Sequence, residues 1–113
     1  MLAPLHFFRM EFLDEFEDAK AALACRFYAA DLMRFLEYDD KGQFYTVVQK
    51  ALTSCTLTQM PVCQHFRPIY ISGTHGIYID YRLSIMACRL IIMNADSNRH
   101  AVAKAQALLA RQR

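Results

Sequence analysis

Three groups of side chains in this sequence have types and spacing that could do chemistry. Cys63 and His65, spaced Cys-x-His, offer two ligands to zinc. A zinc site wants four ligands at set spacings, and no second pair is visible. A nucleophile–base pair would have to join Ser54, Ser72, Ser84 or a cysteine to a histidine. None of these sits in a G-x-S-x-G elbow, and there is no P-loop and no G-x-G-x-x-G turn. The sequence therefore predicts no catalytic residue, no metal and no cofactor, and His65 reads as structural or surface. The third group carries more. Gln43, Thr46, Gln49, Lys50 and Thr53 share one face of a helix read from Gln43 to Ser54, a face without carboxylates. Amides and hydroxyls so placed can reach base edges in a major groove, and lysine reaches phosphate. The plain alternative is a solvated helix face.

The elements that must position this face follow from periodicity. Phe44, Val47, Val48, Ala51 and Leu52 form the inner side of the same helix. Ahead of it, Asp39-Asp40-Lys41-Gly42 is a turn signal, preceded by a helix from Ala29 to Glu37 with Leu32, Met33 and Leu36 inward. Two short helices and a tight connection make a helix–turn–helix-like element. Cys25 to Tyr28 is a short extended piece. Pro61 and Pro68 bracket a segment that cannot be helical. Ile69 to Asp80, IYIS-GTHG-IYID, is a β-hairpin signal. The alternation predicts Ile69, Ile71, Ile77 and Ile79 on the core face, with Tyr70 and Tyr78 opposite. The hairpin could serve as a wing with Thr74 and His75 at its tip.

Asp80 or Tyr81 opens the last region. Leu83 to Met93 is apolar nearly all round and predicts a buried central helix, too short to span a membrane. Asp96 or Ser97 can cap a final helix over 99–112. That helix holds Arg99, His100, Lys104 and Arg111 and no acidic residue. At the other end, Phe8, Phe12, Phe16, Ala19 and Leu23 recur at helical spacing over 9–23. Glu11, Asp14, Glu15, Glu17 and Asp18 surround that apolar stripe. The expected architecture is α+β: a helix–turn–helix-like element plus a β-hairpin, packed on a buried C-terminal helix pair.

Composition sets the bounds. With 113 residues, 55% of them hydrophobic, the chain is one domain, 1–113, with residues 1–15 an arm or dimerisation helix. Residues 1–40 carry 4 basic and 9 acidic side chains, whereas 41–113 carry 9 basic and 2 acidic. Only the second part suits a polyanion. No apolar run is long enough for a membrane span, and the start lacks the cationic region of a signal peptide, which predicts a cytoplasmic protein with no membrane partner. The four cysteines, Cys25, Cys55, Cys63 and Cys88, then read as reduced thiols, mostly small buried hydrophobes.

The stretch from Asp80 to Arg113 resembles a signature of the DNA-damage-inducible protein D family, shared with phage antirepressor and BRO-type proteins. The matching positions include Asp80, Tyr81, Leu83, Ser84, Ala87, Cys88, Leu90, Ile91, Asn94, Asp96, Val102, Ala105 and Gln106. Earlier landmarks fall in the same order: Phe16 to Asp18, Phe27 to Met33, Tyr38, Phe44, Lys50-Ala51 and His65-Phe66. Six family positions are changed here: Ile85-Met86 replaces Arg-Tyr, Ala95 and Glu37 each replace a glycine, and Leu108-Leu109 replaces Tyr-Phe. The resemblance implies regulation rather than catalysis, in a phage, prophage or DNA-damage context. The matched residues read as fold maintenance before function.

The resulting expectation is a nucleic-acid-binding regulator acting on single- or double-stranded DNA. Its contact surface would be Lys41, Gln43, Thr46, Gln49, Lys50 and Thr53, joined by His75 and Arg82. The runner-up is a protein-binding inhibitor or antirepressor. It would dock on a repressor, recombinase or defence complex through Glu11, Asp14, Glu15, Glu17 and Asp18. A homodimer is expected in either case, since a lone small reader gains little affinity.

Overall fold

The computed structural model describes residues 24–111. The expected helix over 9–23, and with it the acidic cluster from Glu11 to Asp18, lies outside the described residues. Within them the chain runs β1 (Phe27–Tyr28), α1 (Ala29–Phe35), α2 (Lys41–Leu57), a 3-10 turn (Val62–Gln64), β2 (Phe66–Gly73), β3 (Gly76–Leu83), α3 (Ile85–Asn94) and α4 (His100–Arg111). The strands form one antiparallel sheet in the order β1-β3-β2. The fold is α+β.

α1 is two residues shorter than its periodicity suggests. It ends in a Schellman cap: Tyr38 N donates to Met33 O and Glu37 N to Arg34 O. Glu37 takes the left-handed position at φ 59°. Glycine is the residue that adopts this conformation without strain. α2 ends the same way, with Gln59 at φ 61° and Met60 N donating to Cys55 O.

α2 also starts earlier and ends later than expected. The Asp40 carboxylate accepts from Gly42 N at 2.8 Å and Gln43 N at 3.2 Å, so Lys41 is the first helical residue and not part of the turn. Phe44, Val47, Val48 and Ala51 are buried as the periodicity indicates, together with Cys55.

The hairpin corrects one expectation. Ile69 pairs with Asp80, Tyr70 with Ile79, Ile71 with Tyr78, Ser72 with Ile77 and Gly73 with Gly76. Only Thr74 and His75 lie between the last paired residues. An even-numbered loop pairs each odd position with an even one, and directly paired residues share a face. Ile69 and Ile71 therefore sit with Tyr78 and Asp80, while Ile77 and Ile79 sit with Tyr70. The four isoleucines cannot line one core face. The Tyr70 face is buried only at the sheet's base, by Phe66 and Leu83; toward the tip, Tyr70 and Ile77 are 72% and 73% exposed.

β3 runs through Tyr81 and Leu83, so the last helix pair begins later than the apolar run suggests. Ser84 caps α3 by accepting from Ala87 N at 3.0 Å. α3 is not buried all round: Ala87, Ile91 and Ile92 face the core, whereas Ile85, Met86 and Met93 are exposed. Several polar side chains hold this region together. Asn94 Nδ2 donates to Leu90 O at 2.8 Å, and Gln106 Nε2 reaches back from α4 to Ile92 O at 2.9 Å. Asp96 accepts from Asn98 N at 3.0 Å, in the turn ahead of α4. Phe44, Phe66, Leu36, Leu83, Ile91, Val48 and Val102 form the fully buried centre.

Candidate nucleic-acid interface

At 100° per residue, Gln43, Thr46, Gln49, Lys50 and Thr53 fall within an arc of about 120° on α2. All five are exposed. Two hydroxyls are turned back on the helix: Thr46 donates to Gly42 O at 2.9 Å and Thr53 to Gln49 O at 3.0 Å. They leave acceptor lone pairs outward and must rotate to donate to a ligand.

The N-terminal half of α2 is braced on both flanks. On one side Tyr45 donates its hydroxyl to Ile79 O at 2.9 Å, and the Lys41 ammonium lies 4.7 Å from the centre of the Tyr78 ring. Burial, and after it the Asp80 carboxylate, push the Tyr45 phenol above its usual pKa. These contacts hold the hairpin against α2. They bring Lys41 together with Thr74 and His75 around a shallow cavity of about 250 Å³. On the other flank Arg99 donates to Gln43 Oε1 at 2.8 Å and to Glu37 O at 3.3 Å, with its guanidinium 4.2 Å from the centre of the Tyr38 ring. Tyr38 Oη in turn accepts from Asp96 N at 3.1 Å.

Of the eight residues expected to contact nucleic acid, seven lie on α2 or at the adjoining hairpin tip. Arg82 does not. It stands opposite Arg67 near the base of the sheet, half-buried, with its guanidinium 6.0 Å from the Tyr28 ring and its Nε buried without a hydrogen-bond partner. Arg99 takes its place among the cations beside α2. Its contact with Gln43 spans 56 positions of sequence, and no local pattern signals such a contact. One feature works against anion binding at the helix start: Asp40 already occupies amides there, and Glu37 and Asp39 are exposed nearby.

One of the serine–histidine pairs considered from the sequence comes together. His65 Nδ1 lies 2.7 Å from Ser84 Oγ, the only serine–histidine hydrogen bond among those described. That hydroxyl is buried and already caps α3, and Ser84 N donates to His65 O at 3.0 Å. The pair ties the 3-10 turn to the start of α3. Among the described residues no group of three or more His, Cys, Asp or Glu side chains could hold a metal ion. Burial raises the Cys25 and Cys55 thiols and pushes Cys88 up to about 11, so these are poor nucleophiles. Cys63 departs from the buried pattern and is exposed. No described helix is long and apolar enough to cross a membrane. No protein-family model matches the chain, and neither does any curated protein or solved structure.

Proposed function

We propose that the protein is a non-enzymatic regulator that binds nucleic acid through the outer face of α2, with the hairpin tip as an accessory contact. The observation that carries this reading is the bracing of α2. A face of neutral hydrogen-bonding groups and Lys50 is held between Lys41, beside the hairpin, and Arg99, just ahead of α4, in the part of the chain, 41–113, that is rich in cations. Side chains on a rigid helix read base edges, while the flanking cations take phosphates. The resemblance to the protein D and BRO-type families supports the same class of role.

The test is fluorescence anisotropy with single- and double-stranded DNA at two salt concentrations. With few cations at the interface, binding should be weak and salt-sensitive. Lys50→Glu should weaken it on every sequence and reduce the slope of log K against log salt by about 1. An unchanged affinity and slope would remove Lys50 from the interface. Absence of binding to either form at low salt would overturn the reading.

A further inference from the structure

The molecule carries a second exposed feature of opposite character. A groove of about 580 Å³ runs between α1 and α3, lined by Phe27, Leu32, Phe35, Ile85, Ile92 and Leu109. Phe35 is 60% exposed and Ile85 44%. An apolar surface of this kind calls for a cover.

We propose that the groove is the seat of the chain's own N-terminal segment, with Phe16, Ala19 and Leu23 filling it and Phe12 at its far end. Three observations lead there. The first is position: the described chain begins at Ala24, and Arg26 and Phe27 already line the groove. The segment ending at Leu23 is thus delivered to the groove's edge by a tether of a few residues. Such a link gives an effective concentration in the millimolar range, which a free partner must exceed. The second is length. From Phe16 to Leu23 a helix rises about 10 Å, the same as the seven residues of α1 that form one wall. The third is charge. The segment carries Glu11, Asp14, Glu15, Glu17 and Asp18, and the groove lining sets the arginines Arg26 and Arg89 against one carboxylate, Asp31, which pairs with Arg34 at 3.6 Å. The acidic residues then serve the chain's own fold instead of capturing another protein.

Cys88 lines the groove and reports on its cover. The experiment is maleimide labelling of the native full-length protein, followed by mass mapping. Exposed Cys63 calibrates the reagent, and buried Cys55 reports global unfolding. Phe16→Asp should accelerate Cys88 labelling by about tenfold through local opening and leave Cys55 unchanged. Wild-type protection of Cys88 should persist on dilution. Cys88 labelling that ignores Phe16→Asp overturns the proposal, and protection that fades on dilution assigns the groove to a second copy instead. If Phe16→Asp also exposes Cys55, disulfide trapping decides. Ala19→Cys should link to Cys88 under mild oxidation, and Ala21→Cys, on the opposite side of the stripe, should not. Equal linking, or none, overturns it.

Discussion

Among the described residues, the outer face of α2 and the groove between α1 and α3 are both left uncovered, yet they are built on opposite principles. On α2 the exposed groups are amides, hydroxyls and a lysine. Several already have partners, in Thr46 and Thr53 folded onto their own helix and Gln43 held by Arg99. Nothing there is costly to leave hydrated. In the groove the exposed groups are phenylalanine and isoleucine, whose hydration is unfavourable. A polar exposed face can wait for an occasional ligand; an apolar one favours a resident cover. The same small domain thus carries one exposed polar face and one exposed apolar groove.

Truncating each surface tests the contrast most strongly. Leu32→Ala removes a buried side chain from the groove wall and should cost about 2–4 kcal/mol in denaturant unfolding. Gln49→Ala on α2 should change stability by less than about 0.5 kcal/mol. Comparable losses would mean that the α2 face is part of the packing after all.

Alkaline pH separates the two surfaces next. The Cys88 thiol is pushed by burial from 9.0 up to about 11. Below pH 9 it is protonated folded and unfolded alike, and its contribution is intact. As pH rises toward 11 the unfolded state ionises first, so stability falls. Unfolding measured at pH 8 and at pH 10.5 should show a smaller pH-dependent loss for Cys88→Ala than for wild type. An identical loss would place Cys88 in water.

The smallest expected effect concerns the brace between the two regions. Glu37 links α1 to α2 in a left-handed conformation, and its carbonyl receives Arg99. Glu37→Gly relieves the strain and keeps that carbonyl. It should stabilise the protein by about 0.5–1 kcal/mol in denaturant unfolding, with DNA affinity unchanged. A loss of stability would show that the Glu37 side chain is needed where it stands.

The sequence by itself determined the local pieces. The apolar spacing from Phe44 to Ala51 specifies α2 and its buried side, and IYIS-GTHG-IYID specifies a hairpin. These signals work because they depend on neighbours within one turn of helix or across one short loop. The cap residues were harder to place. Asp40 reads as a turn residue and is the cap of α2, while Ser84 reads as part of a helix and is its cap. Only the tertiary structure decided how the pieces meet. Two residues between paired glycines, rather than three, divide the isoleucines between the faces of the sheet. One side of an all-apolar helix is buried because the core is there, leaving Ile85 to line a groove. Arg99 finds Gln43 across 56 positions of sequence, and Arg82 is carried away from α2 by its place at the base of β3. Helix and hairpin signals are short-range energies summed along the chain. Which surfaces are left open depends on distances between segments far apart in sequence, and those exist only once the chain has packed.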